Sequence, residues 1–190
     1  MLRVRSGRGA ASSSHYARIL AVAEEEVAAR GADASLEQIA RTAGVGSATV
    51  RRHFPSRHAV LDAVSRKRVD ALRVRADELA TERGGREALV QWLSEVVDYC
   101  ASARGLAVAL AYDQTGAEAA HNSCSELLEE AANPLLRRAV RDNAVATSTT
   151  AADLIAAAVG VALATEHHGD PAAAAQRLFR LIRAGVSPQR

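Results

Sequence analysis

The sequence predicts an all-α chain of about nine helices in two parts, and three observations predict it. Apolar residues make up 48 % of the 190 residues, and alanine, the strongest helix former, leads them. Apolar positions recur every three or four residues along most of the chain, between recognisable cap and stop residues. Aromatics are only 3 %, and no segment makes a convincing strand.

Each element has its own local reason. Residues 1–13 are rich in Arg, Gly and Ser without periodicity and are expected as a flexible basic arm. They lack an apolar core, so they do not read as a secretory signal. Ser14 is placed to cap the first helix, whose Ile19, Leu20, Ala23 and Val27 keep helical spacing until Gly31 stops it. Ser35-Leu36-Glu37-Gln38 has the capping-box pattern, in which Gln38 reaches back to the Ser35 amide. The short helix it opens ends at Gly44. Another covers about 47–53, and Pro55 forbids its continuation. Ser56 then caps a long helix through Leu61, Val64, Val69, Leu72 and Leu79, which stops before Gly84 and Gly85.

Beyond Gly85 the helical period continues. Leu89, Trp92, Leu93, Val96 and Val97 mark one amphipathic helix, and residues 106–111 suggest a shorter one. A third carries Leu127 and Leu128, and Pro134 is expected to kink or split it before Leu135. Thr150 caps a helix with Leu154, Ile155, Ala158, Val159 and Ala162. Asp170-Pro171 pairs an N-cap with proline at the first helical position, opening a last helix through Leu178, Leu181 and Ile182.

Charge separates the two parts. Residues 1–75 hold 14 Arg or Lys against 7 Asp or Glu, and the rest holds 10 against 15. A basic end on an acidic remainder suits a chain that meets a polyanion at one end, although solvated basic faces are also common. No apolar run reaches bilayer-spanning length; the longest, 154–164, reads as an Ala-rich helix. Cys100 and Cys124 lack metal-ligand spacing and read as free buried thiols, and His167-His168 has no partner ligands nearby in sequence. The sequence therefore implies no metal and no cofactor, and a cytoplasmic protein.

Residues 35–54, SLEQIARTAGVGSATVRRHF, are the informative segment. Two short helices crossing closely at a steep angle restrict residue size at fixed offsets. Ala40 is small where the helices touch, and Gly44 permits the left-handed backbone of a tight turn. Val50 points back into the junction with Val45 and Phe54, helped by Leu36, Ile39 and Ala43. What remains on the second helix, Ser47, Ala48, Thr49, Arg51, Arg52 and His53, is small, hydrogen-bonding or cationic, which suits a major groove. Two short helices around a glycine turn also occur in ordinary bundles.

About fifty residues, 16–64, resemble the DNA-binding domain of the tetracycline-repressor (TetR) family. The match lies in Gly31, Ser35, Ile39-Ala40, Ala43-Gly44-Val45, Thr49-Val50, His53-Phe54 and Ser56. Three positions depart from that pattern: Gly46 stands for the usual serine N-cap, Arg51 for tyrosine and Arg57 for lysine. The resemblance divides the chain into an arm (1–13), a helix-turn-helix domain (14–60) and a helical ligand-binding and dimerisation domain (61–190). It implies a repressor that binds a pseudo-palindromic double-stranded operator as a homodimer. By chemistry, Ser47, Thr49 and Arg52 suit base edges, with Ala48 on the same face. Ser35, Arg51, His53 and Arg57 suit phosphates, and Arg3, Arg5 and Arg8 the adjacent minor groove. His53 has a second reading, packing beside Phe54.

A single helix-turn-helix buries too little surface for tight specific binding, so a symmetric dimer is expected. The last two helices, about 150–186, offer Ala-rich faces (Ala156, Ala157, Ala172 to Ala175), with core packing as the rival reading. Residues 86–145 are then expected to enclose a small, apolar ligand, and Trp92, Tyr99, Tyr112, His121 and Cys124 are the distinctive side chains there. Each of the five also fits an ordinary core or surface role. An enzyme or carrier reading finds no nucleophile–base pair, HExxH or Gly-rich phosphate loop, and a structural adaptor bundle is the third class considered.

Overall fold

A computed structural model describes residues 7–102 and 124–184. It contains eight α-helices and one 3-10 turn, with no strand among the described residues: α1 (Gly7–Arg30), the turn Gly31–Asp33, α2 (Leu36–Thr42), α3 (Ser47–His53), α4 (Arg57–Glu82), α5 (Gly85–Ala101), α6 (Cys124–Arg141), α7 (Ala151–Thr165) and α8 (Pro171–Ala184). The short helix expected at 106–111 lies outside the described residues, and the described ones hold eight of the about nine helices expected. The fold is all-α, as the sequence indicates.

The chain divides into two compact units, Met1–Ser65 and Arg66–Arg190, and the division falls within α4. In the first unit, Ile19, Ala23 and Val27 of α1 are buried with Ile39, Ala40, Val50, Phe54, Val60 and Val64. α1 begins at Gly7 and not at Ser14, so residues 7–13 belong to a helix and not to an arm. Adding turns to an existing helix costs far less than nucleating one, so this segment needs no apolar stripe of its own. α1 ends where Gly31 adopts φ 57°.

In the second unit α5 is the central helix and packs on α6, α7 and α8. Its Ala88, Leu89, Trp92, Leu93, Val96, Val97 and Cys100 are all buried. The Trp92 indole N–H donates to the Leu72 carbonyl of α4 at 2.8 Å, so the largest core side chain leaves no polar atom stranded. Both cysteines are free and buried, and burial pushes the Cys100 thiol up to about 12, far from the thiolate that redox chemistry requires.

Helix ends follow local rules. Ser56 Oγ accepts from Ala59 N–H at 3.1 Å, and Asp170 Oδ1 from Ala173 N–H at 3.0 Å. Thr150 and Asp153 form a reciprocal box at the start of α7. After α6 the chain turns at Asn143, φ 54°, with Ala144 N–H returning to Ala139 O at 3.0 Å. Of the two outcomes expected at Pro134, a kink or a split, the split does not occur, and α6 runs through it. The burial of Leu127, Leu128, Ala132, Leu135, Leu136 and Ala139 along one face outweighs the single backbone hydrogen bond that proline removes.

α5 starts against the end of α6. Gly85 N–H donates to Asp142 Oδ2 at 3.1 Å, and a Cβ at Gly85 would lie 2.5 Å from that oxygen and 2.9 Å from Ala139 N and Arg138 C. A methyl group at Gly84 would meet nothing within 4 Å. Gly85→Ala is therefore expected to destabilise the protein by about 1–3 kcal/mol through overpacking. In thermal unfolding followed by helical circular dichroism, Gly85→Ala lowers Tm clearly and Gly84→Ala moves it far less.

Candidate nucleic-acid interface

The segment 35–54 folds as a helix-turn-helix whose geometry is set by its small residues. Ser35 Oγ caps α2 by accepting from Gln38 N–H at 3.3 Å. The other half of the expected capping box is absent. Ser35 N–H donates instead to Glu26 Oε1 of α1 at 3.1 Å, and the Gln38 side chain bonds Thr42 and Arg41. A longer-range acceptor has taken the amide, and in doing so ties α2 to α1.

The turn closes at Gly44, whose φ of +63° is the left-handed backbone that side-chain-bearing residues resist. Val45 N–H returns to Ala40 O at 3.0 Å and Gly44 N–H to Arg41 O at 3.2 Å, which satisfies two of the carbonyls in the last turn of α2. Gly46 then precedes α3 in an extended conformation with no side-chain cap. Its carbonyl accepts from Thr49 N–H at 2.9 Å. Val50 is the single fully buried residue of α3, which fixes which face of the helix turns outward.

Ser47, Ala48, Arg51 and Arg52 are exposed, and Thr49 is half-buried beside them. Among the described residues Arg52 has no ion-pair partner. Arg51 Nη2 sits 2.6 Å from Glu37 Oε1, and Arg57 Nη1 lies 3.5 Å from Asp33 Oδ1. Ser35 is half-buried at the start of α2. The His53 ring makes the contacts of its packing reading, lying edge-on to Tyr16 at 5.8 Å and tilted to Phe54 at 6.5 Å. Its Nε2 is buried without a hydrogen-bond partner. Tyr16 stacks on Phe54 at 5.4 Å, so three aromatic rings anchor the end of α3 to α1.

Two residues here escape sequence reasoning. Tyr16 marks only the edge of the resemblance, yet its ring completes the aromatic cluster. Glu37 reads as an ordinary first-turn acid, yet it bridges α2 and α3. No local spacing rule covers a pair fourteen positions apart across a turn. The Glu37 carboxyl is held below its ordinary range by its own backbone N–H and then by the Arg51 guanidinium.

The residues expected at a ligand pocket separate. Trp92 is core, and Cys124 is buried at the start of α6. Tyr99 borders a groove of about 470 Å³ with Arg68, Leu72, Arg75, Glu95 and Asp98. Tyr112 and His121 lie outside the described residues. No helix among the described residues is long and apolar enough to cross a membrane.

A buried-Val helix-turn-helix with a small, cationic outer face, on a chain that continues as a helical bundle, defines a helix-turn-helix regulator. Comparison with known proteins supplies the family. Residues 19–64 match the model described as bacterial regulatory proteins, tetR family, and residues 85–188 the model for the transcriptional regulator SbtR-like C-terminal domain. A TetR transcriptional regulator of Streptomyces coelicolor is 32 % identical, with 92 % of this chain and 99 % of that chain aligned and a TM-score of 0.66. A TetR transcription regulatory protein of Mycobacterium vanbaalenii is 29 % identical over 96 % of this chain and 100 % of that one, with a TM-score of 0.63. RolR, in complex with resorcinol, shares the fold at 18 % identity, covering 96 % and 99 % with a TM-score of 0.62. No curated protein matches the chain. The chain belongs to the tetR family of bacterial regulatory proteins.

The Glu37–Arg51 pair gives a titration signature. A carboxyl whose folded pKa is depressed adds stability above its unfolded pKa, and that stability is lost as pH falls through the folded value. By side-chain NMR, Glu37 is expected to titrate below the ordinary carboxylate midpoint. In Arg51→Ala the midpoint rises only part of the way, because the backbone N–H remains.

Proposed function

We propose that the chain is a sequence-specific repressor that binds a pseudo-palindromic operator as a homodimer and is released by a small molecule. One observation carries the reading: the outward face of α3 consists of Ser47, Ala48, Thr49, Arg51 and Arg52, while Val50 holds the opposite face in the core. A helix presenting short hydrogen-bonding and cationic side chains fits the major groove. Ser47, Thr49 and Arg52 are assigned to base edges, with Ala48 in apolar contact, and Ser35, Arg51 and Arg57 to phosphates. His53 supports the helix from behind. The chain acts by binding and not by catalysis, and its operator places it in the bacterial cytoplasm.

Dimerisation through α7 and α8 is supported by what those helices leave uncovered. Ala152, Ala156, Ala157, Gly160 and Ala164 of α7 are exposed small residues, and a Cβ at Gly160 would meet nothing within 4 Å. On α8, Leu181 and Ile182 are 56 % and 53 % exposed. The Ala-rich stretch of α8 divides: Ala174 and Ala175 serve the core, Ala172 stands exposed and Ala173 lies between. Small faces let helices of two copies approach closely, with the exposed aliphatics alongside.

For the ligand, the groove beside Tyr99 is the best-supported position among the described residues. Two arginines and two carboxylates line it, so the expectation of a purely apolar ligand gives way to a small molecule with polar groups on an apolar frame. A fold neighbour that carries resorcinol is compatible with that chemistry. Such a ligand acts by favouring a conformer that binds DNA less well.

A gel shift with the DNA flanking the chain's own gene tests the reading, with specific binding expected to weaken steeply as salt rises. Thr49→Ala and Arg52→Ala are expected to cost about 1–3 kcal/mol at the base each reads and to relax preference there. Arg57→Ala is expected to weaken binding on all sequences alike and to reduce the salt slope by about 1. Equal loss of preference in all three variants contradicts the division into base and phosphate contacts. Separately, Ala157→Arg combined with Leu181→Arg is expected to turn a dimer into a monomer in sedimentation and to abolish the specific shift.

A further inference from the structure

The two arginines of α3 stand differently. Arg52 is exposed and has no ion-pair partner among the described residues. Arg51 is held by Glu37, with Nη2 to Oε1 at 2.6 Å, although the two side chains are 54 % and 64 % exposed. A pair this open to water adds little to stability, so folding alone gives it no strong purpose. The second Glu37 oxygen lies 3.5 Å from Ser35 Oγ, a weak contact, so the backbone N–H of Glu37 and the Arg51 guanidinium are what hold the carboxylate at the start of α2.

A carboxylate beside the reading helix opposes any polyanion that approaches. If Arg51 leaves Glu37 for DNA, it takes one charge-assisted contact and strands another, with an unpaired carboxylate facing phosphates. On arbitrary DNA the exchange brings no net gain. On a site where the other α3 contacts hold the helix deep in the groove, a bidentate acceptor, a guanine edge or a well-placed phosphate, is brought to the guanidinium and the exchange proceeds.

Resting on the DNA-binding reading, we propose that Glu37 is a specificity-determining positioning residue: an internal competitor that occupies Arg51 in the free protein and withholds it from non-operator DNA. The phosphate assigned to Arg51 comes within bidentate reach only where the base contacts of Ser47, Thr49 and Arg52 seat α3 fully in the groove, so Arg51, unlike Arg57, contributes to operator affinity and almost nothing to non-specific affinity. Arg52, with no competitor, contributes to both. The discrimination comes from a contact that is suppressed on the wrong sequence, not only from one that is made on the right sequence.

The test is a fluorescence-anisotropy titration of the full chain against a genomically selected operator and a scrambled duplex of equal length, over a range of salt. It uses the wild type, Glu37→Gln, Arg51→Ala and the double variant, each first checked for helix content and Tm. Glu37→Gln is expected to tighten scrambled-duplex binding by about 3–10-fold and to steepen its salt slope by about 1, as one more phosphate is neutralised. Operator binding is expected to change by less than about twofold, so the specificity ratio falls. Arg51→Ala, the arm that does not depend on Glu37 substitution, is expected to weaken the operator and leave the scrambled duplex nearly unchanged. In the Arg51→Ala background, Glu37→Gln is expected to shift both duplexes equally. An unchanged ratio in Glu37→Gln, or an Arg51→Ala loss of the same size on both duplexes, overturns the proposal while leaving DNA binding intact. A wild type that does not distinguish operator from scrambled DNA overturns the functional reading, and this inference with it.

Discussion

Between α2 and α3 the backbone has residues 43–46 in which to reverse direction, and it does so through the left-handed conformation of Gly44. The Val45-to-Ala40 and Gly44-to-Arg41 hydrogen bonds close that turn, and the small Ala40 side chain lets the two helices meet. The crossing then places Val50 in the core, and with it decides every other side chain of α3. The exposed row of Ser47, Ala48, Arg51 and Arg52 is what remains once one valine has been buried. The chemistry of the interface is thus a consequence of a backbone constraint, and the aromatic cluster of Tyr16, His53 and Phe54 locks the far end of the same short helix.

The second unit solves a different problem. Helices α4 to α8 must share one core in which alanines alternate with leucines and valines, and α5 does this by burying one broad face. Trp92 fills the volume that alanines leave, and its N–H is satisfied by a carbonyl already engaged in helix geometry. The Gln176 side chain reaches α5 from α8, donating to Ser94 O at 3.0 Å and Asp98 Oδ1 at 2.8 Å, so polar contacts supplement the core. Arg138 adds a bond to the Ala80 carbonyl from α6.

What could be read from the sequence was local. Caps at Ser35, Ser56, Thr150 and Asp170, stops at Gly31 and Gly44, and helical spacing of apolar residues all act within a few positions, and each recurs in the structure. The helix-turn-helix was legible because its steric demands fall at fixed offsets. What escaped depended on distance along the chain or on competition. Glu26 took the Ser35 amide from Gln38, Glu37 found Arg51 across the turn, and Tyr16 reached Phe54. At Pro134 a local rule met a cooperative one, and the buried face of α6 prevailed. The extension of α1 to Gly7 has the same origin, since a helix that already exists recruits neighbours that carry no pattern.

Trp92 is the chain's only tryptophan, and it lies wholly inside the second unit, its indole bonded to a carbonyl. Its emission is therefore a built-in optical probe of that unit alone, blue-shifted while the core is closed and silent about the first unit. Tyr16 is the one tyrosine of the first unit and sits against Phe54 in the aromatic cluster, so it supplies a second chromophore with the opposite allegiance. Once Tyr99 and Tyr112 are replaced by phenylalanine, each unit carries one native chromophore, and the order in which the two come apart can be read from one cuvette.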